Sequence, residues 1–310
     1  MLAVVAPGQG AQTPGFLSPW LELDGAADRL DWLSAVSTVE LHRHGTISDA
    51  DTIRDTAIAQ PLLVAAGLLA LPALFDDLPA MAAAVGVLAG HSVGEITAAA
   101  AAGVLSDEQA MVLVRERGDA MAAAAAVTPT GMTAVLGGDR EQVLAAVARD
   151  GLTAANDNGA GQLVAAGTSA QLEAFAADPP PGARLRPLAV AGAFHTVHMA
   201  PAVEVLAHHA QAIRTGEPQA RLLSNADGAA MTSGAQVLGR LVTQVSSPVR
   251  WDLVMATMAG LGVTAVIELP PAGTLSSLAK RAIPGVRTLA LKTPDDLPAA
   301  LELVGEAVHP

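Results

Sequence analysis

The sequence predicts an α/β fold on a largely parallel sheet. Short apolar runs alternate with longer helical patterns along most of the 310 residues, and one such run passes through Gly90-His-Ser-Val-Gly94 directly into a helix. A third observation divides the chain, because the rhythm changes between Thr128 and Pro187. Leu2–Ala6 reads as a first buried strand, ended by Pro7-Gly8. The apolar runs Leu62–Ala73 and Ala80–Ala89 follow, separated by Asp76-Asp77, and the second contains the strand Val85–Ala89 that feeds the helical run Ile96–Ala102. Ser106 with Gln109 three residues on forms a capping box, predicting a helix to about Ala125. Then come strand Thr133–Leu136, helix Asp139–Asp150, two strands including Leu163–Ala166, helix Ser169–Ala177 and strand Leu185–Val190, a compact βαββαβ order. Asp178-Pro-Pro-Pro181 is a stiff surface connection. The expected organisation is a large subdomain of residues 1–127 and 188–310 with a small one, 128–187, inserted. The main sheet is expected to resume near Ala189 and to continue through Arg221–Ser224 and Ala265–Glu268.

Composition narrows the function. The chain is 51% hydrophobic but has no Tyr and four Phe, so its core must be built from Ala, Val and Leu. The absence of Cys excludes disulfides, thiolate metal sites and a cysteine nucleophile. A formal charge of −13 argues against nucleic-acid binding. Met1–Ala6 lacks the basic region and cleavage site of a signal peptide, and Leu62–Ala73 and Ala80–Ala89 are too short to span a membrane. A soluble, cytoplasmic protein is expected.

The chemistry concentrates at the strand–turn–helix around Ser92. Gly-x-Ser-x-Gly between a strand and a helix is a nucleophile elbow, whose glycines permit a strained turn that lifts the hydroxyl and aims a helix N-terminus at an oxyanion. Acyl transfer is the leading chemistry. Ser92 needs a base, and His195, on the loop after an apolar strand and Gly192, is the best placed histidine. His198 could make an HxxH pair with it, but no third metal ligand is near. His42, His44, His208, His209 and His309 read as surface residues, and His91 as a packing residue. An oxyanion hole needs backbone N–H groups at the nucleophile. Val93 offers one, and the turn Pro7-Gly-Gln-Gly-Ala-Gln12 offers a second, although it also reads as a plain tight turn; it lacks the Lys-Ser/Thr of a phosphate loop. Leu113, Arg117 and Met121 lie four apart, placing a guanidinium in an apolar stripe while Arg115 points elsewhere. Such a buried cation requires an anion. It is either an internal salt bridge, for instance to Glu95, or a fork for a substrate carboxylate.

Gly8-Gln-Gly-Ala-Gln12, Gly90-His-Ser-Val-Gly-Glu95, Arg117-Gly118, Gly192-Ala-Phe-His195 and Gln244-Val-Ser-Ser-Pro-Val-Arg-Trp251 together resemble, in order and spacing, the malonyl-CoA:acyl carrier protein transacylases of bacterial fatty acid or type II polyketide synthesis. The resemblance covers essentially the whole chain. It implies an α/β-hydrolase-like core with an inserted ferredoxin-like subdomain. It implies Ser92 as nucleophile, His195 as general base and acid, Arg117 as clamp for the malonyl carboxylate, and the Gln9 and Val93 amides as oxyanion hole. Gln244 would hold the histidine's other nitrogen through its main-chain carbonyl. Phe194 and Met121 would border the acyl group, Phe194 disfavouring an α-branch, and Asn156 and Asn158 would border the cleft. Ser247 departs from the asparagine that many members carry there. No cofactor or metal is implied, only malonyl-CoA and an acidic holo-acyl carrier protein, and a monomer is expected. Arg184 and Arg186, or Lys280, Arg281, Arg287 and Lys292, could form the basic patch for that carrier. Two rivals remain. One is a serine hydrolase, for which Asp227-Gly228-Ala229 could supply a Ser-Asp pair; the other is a catalytically silent docking subunit.

Overall fold

A computed structural model describes residues 1–190 and 192–308. Its strands, in chain order, are β1 (Leu2–Ala6), β2 (Val85–Gly90), β3 (Thr130–Gly137), β4 (Thr153–Asp157), β5 (Gln162–Thr168), β6 (Ala183–Pro187), β7 (Leu222–Leu223), β8 (Ala230–Met231), β9 (Val249–Arg250), β10 (Ala265–Glu268) and β11 (Arg287–Ala290). The helices that shape the site are α1 (Thr56–Leu74), α2 (Gly94–Ala101), α3 (Asp107–Ala125), α4 (Arg140–Arg149), α5 (Ser169–Ala177), α6 (Gly234–Gln244) and α7 (Thr274–Ala282).

The larger sheet runs β11-β10-β1-β2-β7-β8, parallel throughout except for the antiparallel β7–β8 pair. Its central strand shows why the sequence reads as a continuous apolar run. Leu2, Val4 and Ala6 pack into one core with Leu62 and Leu69 of α1, while Ala3 and Val5 pack into a second with Val254 and Leu275. Side chains alternate across a strand, so a strand covered by helices on both faces has no polar positions. The smaller sheet runs β6-β3-β5-β4-β9. The segment β3-α4-β4-β5-α5-β6 supplies four of its strands, antiparallel to one another, and β9 adds from the C-terminal half, parallel to β4.

Several expectations change in detail. The last strand of the small sheet stops at Pro187 instead of Val190, and the large sheet resumes at Leu222 instead of near Ala189. The intervening chain is held otherwise: the Ala193 amide donates to Thr130 Oγ1 and the His195 amide to the Val245 carbonyl. The apolar run Leu62–Ala73 lies within α1, a helix of 19 residues that is by length and composition sufficient to cross a membrane. Most of it is buried, packed against α3, and the Asp55 side chain caps it by accepting from the Ala57 amide. It is the core helix of the larger layer.

Candidate active site

β2 ends at Gly90 and α2 begins at Gly94, so three residues reverse the chain. Ser92 takes φ of 52°, a left-handed conformation that few non-glycine residues adopt. Its neighbours enforce it. A Cβ on Gly94 would lie 2.2 Å from the Ala6 carbonyl oxygen, so only glycine lets the helix start against β1. Asn225, just beyond β7, braces both arms of the turn: its Oδ1 accepts from the Ser92 amide at 2.7 Å and its Nδ2 donates to the Gly90 carbonyl at 2.7 Å.

Ser92 Oγ lies 2.8 Å from His195 Nε2. On the other side of the ring, His195 Nδ1 lies 2.8 Å from the main-chain carbonyl of Gln244. A carbonyl only accepts, so Nδ1 carries the proton and Nε2 is the acceptor for the serine hydroxyl. Gln244 is the last residue of α6, where carbonyls lack intrahelical donors and the helix dipole is negative; that end takes the place of a carboxylate. Burial, reinforced by the Arg117 charge, pushes His195 down to about 3, which keeps the imidazole neutral, with the Nε2 lone pair free to accept from Ser92.

Arg117, 2% exposed, reaches the same hydroxyl: its Nη2 lies 3.3 Å from Ser92 Oγ. Gln60 Oε1 accepts from Nη1 at 2.6 Å and Gln244 Oε1 from Nη2 at 2.9 Å, while Nε has no acceptor among the described residues. Among those residues Arg117 has no direct ion pair, so the salt bridge to Glu95 considered from the sequence is not formed. The Gln244 side chain stands between the two and donates to the Glu95 carboxylate. Burial pushes Arg117 down to about 10, opposed by the Glu95 charge, and burial pushes Glu95 up to about 7, opposed by the Asn225 and Gln244 donors.

These groups open on a cavity of about 320 Å³. Gln9 and Val93 line it, and neither backbone N–H has an acceptor among the described residues. The Gln9 side chain points away, donating to the Arg54 carbonyl at 3.1 Å and so pinning the loop after β1. Phe194 and Met121 line the cavity with the apolar Met132, Val164 and Leu278. Asn156 and Asn158 line it too, from alternate positions of β4 and the residue that follows it, while Asp157 between them pairs with Arg140. His91 is half-buried, its Nε2 2.9 Å from Asn158 Oδ1 and its ring edge-on to Trp251. A neutral imidazole, two backbone donors and a buried cation are thus assembled around one hydroxyl in one pocket, an arrangement able to deprotonate a serine, stabilise an oxyanion and bind a carboxylate.

Other candidates fall outside it. Asp227 is exposed and paired with Arg240, away from Ser92, so no Ser-Asp dyad forms. His198 sits on a single 3-10 turn, and among the described residues no group of His, Asp or Glu is placed to hold a metal. His209 pairs with Glu116, and His309 lies outside the described residues. Ser247 turns its hydroxyl back to the Thr243 carbonyl at 2.9 Å. Arg287 is engaged by Glu306, whereas Arg184, Arg186, Lys280, Arg281 and Lys292 are exposed.

A family model for the acyl transferase domain matches residues 4–293. The chain is 52% identical over 300 residues to the malonyl CoA-acyl carrier protein transacylase of Mycobacterium tuberculosis, covering 96% of this chain and 98% of that one. The chain belongs to that family of acyltransferases. The Escherichia coli K12 transacylase is 33% identical, covering 97% and 99% of the two chains. The crystal structure of the M. tuberculosis enzyme superposes with a TM-score of 0.92 at 50% identity, covering 97% of this chain and 99% of that one. A malonyl-transacylase solved in complex with a type II polyketide acyl-carrier protein superposes with a TM-score of 0.88 at 28% identity, over 97% and 99% of the two chains.

Within this transacylase fold, sequence reasoning missed Gln60 and Asn225. Each left a signal: Gln60 is a lone amide in the apolar run of α1, and Ser224-Asn225 is a polar pair at the carboxyl end of a parallel strand, where ligands bind in open α/β sheets. The side-chain role of Gln244 was missed as well.

Proposed function

We propose that the chain transfers a malonyl group from malonyl-CoA to the phosphopantetheine thiol of an acyl carrier protein through a malonyl ester on Ser92. The observation that carries this reading is that one hydroxyl, Ser92 Oγ, lies within reach of both His195 Nε2 and Arg117 Nη2 in one cavity. A hydrolase of simple esters has no use for a buried cation beside its nucleophile.

In the first half-reaction His195 takes the hydroxyl proton as Ser92 Oγ attacks the thioester carbonyl. The tetrahedral oxyanion is held by the Gln9 and Val93 amides, preorganised donors that need no rearrangement. The C–S bond then breaks, and the coenzyme A sulfur leaves with the proton from His195. In the second half-reaction His195 takes the proton of the carrier thiol, whose sulfur attacks the ester carbonyl; Ser92 Oγ departs and regains the proton. Arg117 binds the free malonyl carboxylate, which fixes the acyl group for attack and fills the space water would occupy. Phe194 and Met121 limit room at the α-carbon, although one methyl is worth only about 1–3 kcal/mol of discrimination.

No cofactor or metal is required by this chemistry. The larger sheet with its elbow fits a hydrolase-like core, and 128–187 fits a ferredoxin-like subdomain inserted in it, its strand order β6-β3-β5-β4 supporting the reading. The catalytic groups all come from one chain, consistent with a monomer acting on soluble thioesters in the cytoplasm. Intact-protein mass spectrometry after brief mixing with malonyl-CoA tests the proposal. A malonyl adduct is expected on the native protein and absent from Ser92→Ala; an adduct that survives in Ser92→Ala places the nucleophile elsewhere.

A further inference from the structure

Glu95 opens the first turn of α2, 1% exposed, and takes no part in the steps above. Its position is nevertheless central. Oε1 accepts from the Asn225 amide at 3.1 Å and Oε2 accepts from Gln244 Nε2. The same Nε2 lies 3.1 Å from the Ser92 carbonyl oxygen, and Gln244 Oε1 accepts from Arg117. A carboxamide has two distinguishable ends, and here each end has partners of one kind only. The Glu95 carboxylate and the Ser92 carbonyl are acceptors and demand the NH2 end, whereas the Arg117 guanidinium is a pure donor and demands the oxygen.

We infer that Glu95 is a positioning residue for carboxylate recognition: it locks the Gln244 side-chain amide with its oxygen toward Arg117, and that oxygen holds the guanidinium beside Ser92. The inference rests on the malonyl-transfer reading and assigns a further residue to its specificity. Its logic is one of hydrogen-bond parity. An amide at position 95 must present an oxygen to the Asn225 N–H and also an oxygen to Gln244 Nε2. It has only one oxygen, so either one pair becomes donor against donor or Gln244 turns over and offers NH2 to Arg117. A turn of Gln244 takes the oxygen away from the guanidinium, and a donor-against-donor contact with Gln244 Nε2 removes the lock that keeps that oxygen in place. The main-chain carbonyl of Gln244 that holds His195 is untouched by such a turn, so nucleophile activation and carboxylate recognition separate at this residue.

The test compares acylation by malonyl-CoA, which carries the free carboxylate, with acylation by acetyl-CoA, which lacks it, at pH 8 where Glu95 is ionised. Glu95→Gln is expected to lower the malonyl-over-acetyl ratio of kcat/KM at least about tenfold, chiefly through a higher malonyl-CoA KM, with the acetyl rate changed less than about threefold. Glu95→Asp keeps the charge but is one methylene short of spanning both donors, and an intermediate loss is expected. A residue that only ties α2 to the β7 end would lower the melting temperature and slow both substrates alike. An unchanged ratio in Glu95→Gln therefore overturns the inference. Should that variant not fold, an unchanged ratio in Glu95→Asp overturns it equally, and a loss of roughly threefold or more supports it. Absence of any malonyl preference in the native protein would instead defeat the malonyl-transfer reading itself.

Discussion

Ser92 and His195 both sit at positive φ, 52° and 62°, and both are held there by hydrogen bonds that do not involve their functional atoms. The Ser92 amide is taken by Asn225 and the His195 amide by Val245, so hydroxyl and ring face each other with no freedom lost at the moment of reaction. The buried imidazole has a consequence for pH. Its pKa is lowered, first by burial and then by Arg117, so His195 stays neutral as pH falls through the ordinary histidine range and loses basicity only well below it. The rate at which a small sulfonyl fluoride modifies Ser92 is expected to hold level across pH 6.5 and to fall only toward the acid extreme; a limb centred at 6.5 would show an ordinary, solvated imidazole. Removing the neighbouring cation in Arg117→Ala moves that limb upward. The same variant should lose roughly a hundredfold or more in kcat/KM for malonyl-CoA, because a bidentate charged contact is lost in a buried setting.

At the scale of elements, what was legible in the sequence was what local chemistry decides. The capping box at Ser106 and Gln109 is formed on both sides, and α3 runs from Asp107 to Ala125 as the pattern predicts. Ser106→Ala is accordingly expected to cost about 1 kcal/mol of stability, read as a lowered melting temperature, with acylation by malonyl-CoA unaffected. Gly94→Ala differs in kind. Its Cβ would meet backbone rather than a movable side chain, so the elbow must open, and loss of both stability and Ser92 acylation is expected. The elements that escaped notice are those set by distant partners. β9 is two residues long and exists because Asn156 and Asp157 of β4 lie beside Val249 and Arg250; no local pattern announces it. The early stop of β6 likewise follows from where residues 188–195 must go to bring His195 to α6. Gln60, Glu95 and Asn225 are separated by up to 165 positions from one another in the chain, and only folding makes them one hydrogen-bonded group around Arg117 and Gln244.

For the molecule as a whole, two sheets from one chain wall a single cavity. The larger sheet and its helices bring Ser92, Gln9, Val93 and Arg117, while the smaller sheet brings Met132, Asn156 and Val164. That division suits a two-substrate reaction in which one acyl group stays on Ser92 while its thiol carriers exchange. Water must be kept from the ester in the interval. The most direct test is to isolate the malonylated protein free of malonyl-CoA and follow the adduct by mass spectrometry, in buffer alone and with holo-acyl carrier protein. The account predicts an adduct that persists in buffer and is discharged within seconds by the carrier, with malonyl appearing on the phosphopantetheine thiol. An adduct lost to water as fast without the carrier as with it would contradict transfer and make the protein a hydrolase.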